Sequence, residues 1–571
     1  MRFSLHLVTV PILFASFTGA NNTGGSKSQF VTTQDGRFHV NGSEFKWIGT
    51  TAYWLPSLNT EQDINDTLTN IAAAGIKVVR TWAFNDVETI PTNGTWFQLV
   101  SNGTTTVNTG PNGLQKLDMV MKHAERLGLY IMLSLTNNWN PREKIDGLAQ
   151  SIQGLENDVR ARKLWDRDVT PGTNNSLPRN FLSNDYGGMD VYVRQFGLKT
   201  HDEFFTNKTL NDIFKNYTTQ IVSRYKDSPS VFSWELANDP RCNSSLSASP
   251  GCESRNITRW HADVAQHVRS VDPNHLVSSG NQGFFCMECP KLFDLPPPPP
   301  PPQTSPTPES RRSIPVPLTK EKLLQERRER WKRTRATAIN VGKLKSGGMN
   351  IRGGQWKATP TRRQVDAGMG SAFDGSHGVD SQDILAIPEI GFSSFQLFPD
   401  QNSYGVDDPN LSPFDNAVQN GVDWINTHAR AAQILQKPVA LTGFGLVTQA
   451  NAPAFVPFNS STAPFSNQGS GGTQEFGATD QQRNDAYDTW MNTGIDAGLE
   501  GIIQYQWGQS GLTTQPGTPI SPNIDGTTSS PNVDSAGQSP NDGYSINGVG
   551  QSGVQGVISD AAQEIGNVLI G

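Results

Sequence analysis

The chain has 571 residues, 35% of them hydrophobic and 17% charged, with 53 acidic against 46 basic side chains for a formal net charge of −7. The balance is acidic, and no nucleic-acid partner is expected. Beyond the first twenty residues no stretch reaches the eighteen or so apolar residues of a membrane-spanning helix.

Met1 to Ala20 combines Arg2, an apolar run from Leu5 to Phe17 interrupted by Pro11, and the small pair Gly19-Ala20. It reads as a secretory signal peptide, too short for a membrane span. Twelve Asn-x-Ser/Thr sequons, among them Asn41, Asn65, Asn93, Asn207, Asn256 and Asn410, fit a glycosylated, extracellular protein. In an oxidising compartment the four cysteines allow three pairings. Cys242 with Cys252 would close one loop and Cys286 with Cys289 the next; cross-pairing stays open. A zinc site also takes four cysteines, but the neighbourhood lacks metal-spaced histidines, so a structural staple is expected and no metal or cofactor.

From Phe30 onward short apolar runs alternate with amphipathic stretches. Strands are expected at Lys46–Thr50, Val78–Trp82, Tyr130–Leu135, Val231–Leu236, Leu276–Ser279, Ser394–Phe398, Val439–Thr442 and Ile502–Tyr505. Helices are expected at Gln62–Ala74, Leu114–Leu127, Thr209–Tyr225, Ile257–Val271, Val422–Leu435, Gln481–Ala497 and Val554–Leu569. Eight strands with helices between them predict a parallel α/β protein. A doubly wound sheet is the rival, but it advertises a Gly-rich phosphate turn after its first strand, which is lacking here. Polar and aromatic residues follow many different strands instead, as the active face of a single (β/α)8 TIM barrel requires. Residues 140–200 form a long loop after the third strand with Trp165, Phe181, Tyr186 and Tyr192, and 508–550 read as surface loop.

Residues 291–371 interrupt this pattern. They open on a polyproline run, Pro296–Pro302, which must be extended. A basic helical block follows over Thr319 to Ile339. The segment holds 17 Lys and Arg against 6 Asp and Glu, a net +11, leaving −18 for the rest of the chain. The leading reading is a solvated helix packed against the acidic body; a sharper one is an arm for acidic polymers or phosphate groups. Proteolytic excision at Arg311-Arg312, Arg327-Arg328 or Arg362-Arg363 and an unspliced intron are further readings. The expected organisation is a signal peptide over 1–20, a barrel in two parts over 21–290 and 372–571, and the basic Pro-rich insertion over 291–371 between them.

The most informative stretch is Val231 to Cys242, VFSWELANDPRC. A buried strand is broken by Asn238, Asp239 and Pro240, which puts a carboxylate at the strand's C-terminal end. With WIGTTAYWLP at the first strand, VRTWAFND at the second and KPVALT-FG at the seventh, it resembles glycoside hydrolase family 5, in particular its fungal endo-β-1,4-mannanases. The resemblance implies a retaining hydrolysis of β-1,4-mannan by two carboxyl groups about 5–5.5 Å apart. It places the acid/base at Asp239, where the family has glutamate, and the nucleophile at Gly443, which has no side chain. It implies that Arg80 braces the nucleophile, that Asn238 bonds the sugar's 2-hydroxyl, and that Trp507 is a platform under the sugar ring. Trp54 and Trp82, at strand ends, are further stacking candidates. At the sixth strand the family's histidine and tyrosine are Gln396 and Phe398.

An aspartate is one methylene shorter than a glutamate, and a misplacement of about 1 Å costs on the order of 100-fold in rate. Without a partner at position 443, Arg80 is expected to turn to Asp239 or to hold an anion. Gly443 is expected to leave space, and Asp400 and Glu288 are the carboxylates that could substitute. Two functional readings follow: a mannan hydrolase using Asp239 with another carboxylate, or an impaired or non-catalytic protein that keeps a polysaccharide-binding cleft. A scaffold for the basic insertion is the third.

Overall fold

The computed structural model describes residues 30–91, 94–140, 182–295, 318–345, 368–451, 477–513, 537–546 and 552–567. The expected signal peptide, Asn93, Trp165, Phe181, the polyproline run and two of the three dibasic pairs lie outside them.

Eight parallel strands form one sheet: β1 (Trp47–Thr51), β2 (Val78–Trp82), β3 (Tyr130–Ser134), β4 (Val231–Glu235), β5 (Leu276–Ser278), β6 (Ser393–Leu397), β7 (Val439–Phe444) and β8 (Gly501–Gln504). Their order is β5-β4-β3-β2-β1-β8-β7-β6, every neighbouring pair being parallel. The seam between β5 and β6 is crossed by single bonds. Gly391 N donates to Val277 O at 2.8 Å, Gln396 N to Gln282 O at 3.1 Å, and the hydroxyls of Ser279 and Ser394 meet at 3.0 Å. A nearly closed barrel results, the TIM architecture expected from the sequence. All eight strands fall within about two residues of their predicted ends, because barrel strands buried on both faces read as continuous apolar runs.

The main outer helices are α1 (Glu61–Ala73), α2 (Leu114–Leu127), α3 (Lys208–Tyr225), α4 (Ser254–Val271), α5 (Lys320–Lys345), α6 (Pro413–Leu435), α7 (Asp480–Ala497) and α8 (Ser552–Asn567). Helix α6 begins nine residues before its predicted start. Ser412 caps the Asp415 N–H and Pro413 occupies the first turn, a start signal the apolar pattern alone does not reveal. Helix α5 runs past the predicted end at Ile339. Its inner side meets α6 through Arg330–Asp423 and Arg430–Glu326 (3.0 Å), and Lys320 reaches Glu288 at 2.7 Å.

The N-terminal end of the barrel is plugged. A ribbon of Thr32–Gln34, Arg37–Val40 and Ser43–Glu44 brings Phe38 edge-on to Phe232 and Phe392, each at 5.2 Å, beside Trp47. Gly501 faces Trp47 across the β8–β1 ladder; a Cβ there would sit 2.2 Å from the indole, so only glycine fits. With one end filled by aromatics, the C-terminal ends of the strands are where a site can open.

Candidate functional site

The centre of that face is a polar network between β2 and β4. Arg80 Nε donates to both oxygens of Glu235 at 3.1 and 3.0 Å, and Nη2 reaches Oε1 at 2.5 Å. Arg80 is 1% exposed and Glu235 is fully buried. Nη2 also donates to Asn238 Oδ1 at 2.8 Å, and Asn238 Nδ2 to Asn137 Oδ1 at 2.8 Å. The expectation that Arg80 turns to Asp239 or to an anion is therefore corrected. Inward-pointing side chains from alternate barrel strands share a layer, so a β2 arginine meets a β4 glutamate before it meets the loop beyond.

Asp239 stands just past β4 with φ +54°, a left-handed conformation that aspartate tolerates better than most residues. Its N–H donates to Gly280 O at 2.9 Å. Gly280 has φ +71°, and a Cβ there would lie 1.9 Å from Ala237 O and 2.6 Å from Glu235 Cγ, so the β5 end can press on the β4 end only as glycine. The Asp239 carboxylate accepts from Arg241 Nε at 2.7 Å and from Trp139 Nε1 at 2.9 Å. Arg241 in turn lies between the Trp139 and Phe284 rings and donates to Asn402 at 3.2 Å. His377 stacks on Phe284 at 3.8 Å; burial, then the nearby Arg241 charge, holds its pKa down at about 3, so it is neutral.

The opposite rim belongs to β6 and β7. Gln396 Nε2 reaches Asn238 Oδ1 at 3.3 Å, while its Oε1 accepts from Gln282 at 3.0 Å. Tyr404 Oη donates to Gln282 Oε1 at 3.2 Å and accepts from Phe398 N at 2.9 Å. Gly443 lies behind this layer: a Cβ on it would be 3.3 Å from the Phe398 ring and 3.7 Å from the Gln396 carboxamide. The space expected there is occupied by those two side chains.

Arg80, Trp82, Trp139, Asn238, Asp239, Gln282, Gln396, Phe398, Gln401 and Tyr505, with Ser183 and Asn184, line one cleft whose free volume is only about 30 Å³. That is room for about one water, below the 300–1,000 Å³ of ordinary ligand pockets, so a sugar ring enters only where the rim side chains part. Asp239 is the one carboxylate among these residues. Asp400 is fully buried away from them, accepting from Val447 N at 3.1 Å, and burial raises its pKa to about 7. Glu288 is on the surface with Lys320. Neither substitute carboxylate faces the cleft.

Two of the expected aromatics are displaced. Trp54 is fully buried in the packed core, since the turn after β1 folds inward. Trp507 borders a separate hollow on the barrel's flank, and the ring that the end of β8 puts in the cleft is Tyr505. Tyr505 Oη donates to Asp542 Oδ2 at 2.5 Å, and Tyr53 Oη to Oδ1 at 2.9 Å, so a carboxylate from residues 537–546 fixes the cleft's aromatic wall. Trp82 does line the cleft, its indole donating to Ser183 O at 3.2 Å with the Arg80 guanidinium 4.9 Å above the ring. Glu235, Trp139, Gln282, Tyr404 and Tyr505 are the residues that sequence reasoning passes over. Glu235 and Tyr505 sit inside or beside strand runs, where polarity within an apolar segment is the available signal. Cys242 bonds Cys252 and Cys286 bonds Cys289. Among the described residues no group of three or more His, Cys, Asp or Glu is placed to hold a metal, and no helix is long and apolar enough to cross a membrane.

Residues 28–295 match the family described as GH family 5 beta-mannosidase-like. Mannan endo-1,4-beta-mannosidase F of Aspergillus fumigatus is 35% identical over 259 residues, 45% of this chain and 47% of that protein. Mannan endo-1,4-beta-mannosidase A of Aspergillus aculeatus is 33% identical over 264 residues, 46% of this chain and 56% of that one. The chain thus aligns with about half the length of these curated relatives. In fold it is similar to the endo-1,4-beta-mannanase of Rhizomucor miehei (TM-score 0.55, 21% identity, covering 94% of this chain and 99% of that one). It is also similar in fold to the endo-beta-1,4-mannanase of Thermotoga petrophila (TM-score 0.53, 20% identity, 92% and 78%). The family match takes in Arg80, Asn238 and Asp239 and stops before Gly443.

Proposed function

We propose that this is a secreted, glycoside-hydrolase-like barrel directed at β-1,4-mannan or a related cell-wall glycan, with impaired hydrolysis. The observation that carries the impairment is the composition of the cleft: among the described residues that line it, Asp239 is the single carboxylate. A retaining glycosidase needs two. Across from Asp239, position 443 is a glycine backed by the Phe398 ring. The Asp239 oxygens already accept from Arg241 and Trp139, whereas a general acid must present a proton to the leaving oxygen. Glu235 is committed to Arg80 in the interior. The glycan class rests on the names of the relatives and on the aromatic and amide lining of the cleft.

In this reading residues 1–20 are a leader, and 21–290 and 372–571 are the two parts of the barrel around the insertion at 291–371. The inner side of α5 is neutralised by the body. Arg328, Lys332 and Arg335, spaced i, i+4, i+7, form an exposed outer stripe suited to an acidic polymer. An active hydrolase is the second reading, and the relatives' names are what favour it.

The test measures reducing-sugar release from soluble β-mannan alongside retention on insoluble mannan. Retention with negligible release is expected. Release is expected to appear in Gly443→Glu/Asp239→Glu combined with Phe398→Ala, which makes room for the new carboxylate. Wild-type release abolished by Asp239→Ala would establish the second reading. Release that survives Asp239→Ala would overturn both accounts of the site.

A further inference from the structure

The hollow that Trp507 borders is much roomier than the cleft. It has a free volume of about 380 Å³ and lies on the flank of the barrel between the C-terminal part of α1, the segment after β8, and α8. Its walls are Asn70, Ala73 and Ala74 from α1, Trp507 to Ser510, Ile546, and Gln555, Ile558 and Ser559 on the α8 side. No lining residue carries a charge, which disfavours anionic and cationic ligands alike. Its polar and apolar parts alternate: an indole, two alanines and two isoleucines beside three carboxamides and two serine hydroxyls. Exposed hydrogen-bonding amides beside the edges of buried apolar side chains (Trp507 is 6% exposed) suit an uncharged molecule rich in hydroxyls.

The amides are held in place. Asn70 Nδ2 donates to Gln509 Oε1 at 3.3 Å, and Trp507 Nε1 donates to the same oxygen at 3.3 Å. Gln509 Nε2 donates to Ser510 O at 3.0 Å and Gln555 Nε2 to Ile546 O at 3.3 Å. Each of these bonds leaves capacity on the amides of Asn70 and Gln555 and on the Ser510 and Ser559 hydroxyls, because a carboxamide offers two donors and an acceptor with two lone pairs. The backbone of Trp507 is anchored on the barrel itself, its N–H donating to Thr51 O at 2.9 Å. Tyr505 in the cleft is two residues away along the chain, a reach of about 7 Å.

We propose that this flank hollow is a second, non-catalytic carbohydrate site that takes an uncharged oligosaccharide. The choice of mannan as the polymer rests on the reading of the cleft above; the carbohydrate chemistry of the hollow does not.

The experiment measures binding of β-1,4-linked mannohexaose by calorimetry to the full-length protein and two sets of variants. The hollow is altered by Asn70→Ala/Gln555→Ala, which removes bonding groups at exposed positions, and independently by Ser559→Arg, which fills it. The cleft is altered by Asn238→Ala/Gln396→Ala. Thermal unfolding of every variant checks that it folds. Loss of two amide bonds is expected to weaken binding roughly ten-fold, Ser559→Arg to do at least as much, and the cleft pair to leave a residual wild-type-like component. Hollow variants that bind like wild type while the cleft pair does not would overturn this inference and leave the cleft reading standing. Hollow variants that lose binding while the cleft pair keeps all of it would support the inference and remove the cleft from glycan recognition. A wild-type protein that binds neither mannohexaose nor another neutral hexasaccharide would overturn both.

Discussion

The two halves of the barrel treat the same cleft differently. On the side of β1 to β5, which the family match covers, polar groups saturate one another: Arg80 with Glu235 and Asn238, Asn238 with Asn137, Asp239 with Arg241 and Trp139. On the side of β6 to β8, which it does not cover, a glycine, a phenylalanine and a neutral glutamine stand against them. A buried charge without a partner is strongly destabilising, so the first side is bound by folding whatever it does chemically. On the second side the buried carboxylates stand away from position 443: Asp542 is held by Tyr505 and Tyr53, and Asp400 by Val447 N. Position 443 itself carries no side chain and is backed by the Phe398 ring. The half that the family match covers is thus the half whose cleft side chains folding itself ties to one another.

That contrast breaks first at the ion pair. Glu235→Ala leaves the Arg80 guanidinium buried with only Asn238, and a cost of about 3–5 kcal/mol is expected. Gly280→Ala on the same side is expected to be comparably harmful, because its Cβ would meet Ala237 O at 1.9 Å in a left-handed backbone. Urea unfolding measures both; a change below about 1 kcal/mol for Glu235→Ala would remove the structural account of the first half.

Asp400 probes the other half by pH. It is buried behind the β7 end, and its folded pKa of about 7 lies above the ordinary carboxylate value of 3.8 because burial disfavours the charge. Between these values the folded state binds the proton and the unfolded state does not, so unfolding releases it and this group's contribution to stability falls as pH rises. Its contribution is fully favourable below about pH 4 and is lost through about pH 7, amounting to at most about 4 kcal/mol. Asp400→Asn keeps an acceptor for Val447 N and removes the titration. Relative to wild type it is expected to gain stability progressively from pH 4 to pH 8. A difference that is flat across that range would show that Asp400 titrates normally.

Much of this architecture is legible in the amino-acid sequence, and the physical reason is local. Barrel strands are buried on both faces, so VVRTW and VFSWE stand out against the amphipathic helices, and Asn238-Asp239-Pro240 marks a strand end by its turn chemistry. Pairing is not legible there. Which carboxylate Arg80 meets depends on the layer that β2 and β4 share inside the barrel, and that layer is a property of closure. Tyr505 and Trp507 differ by two positions and look equivalent as aromatics near a strand end, yet one lines the cleft and the other the flank. Gln282 and Tyr404 come from loops whose mutual approach no periodicity encodes.

Smaller effects are expected at α5, whose contacts are half exposed. Arg430→Ala breaks the pair with Glu326 and is expected to cost no more than about 1 kcal/mol, shrinking in high salt. Residues 372–374 rejoin the barrel beside 285–287, Phe285 N donating to Ala372 O at 2.8 Å. A deletion of residues 296–367 bridged by a short linker is therefore expected to leave a folded protein with slightly lowered thermal stability. Insoluble product after that deletion would show that α5 is part of the folding unit.

The smallest effect is expected at Gly443 itself, where the comparison is sharpest. Its backbone is outside the left-handed region, so alanine fits the conformation and reduces the entropy of the unfolded chain by an equivalent of about 0.4–1 kcal/mol. Against that, the new Cβ meets the Phe398 ring at 3.3 Å, and the ring must yield by a few tenths of an ångström. The two terms are of similar size and opposite sign, so Gly443→Ala is expected to change stability by less than about 1 kcal/mol in urea unfolding. Gly443→Glu adds two methylenes and a charge against the same ring and is expected to destabilise clearly more, about 1–3 kcal/mol. Pairing Gly443→Glu with Phe398→Ala should recover part of that loss, since the ring is what the new side chain strikes. If the pair shows no recovery, then something other than Phe398 closes the β7 rim, and the second half of the barrel is more tightly specified than its apolar lining implies.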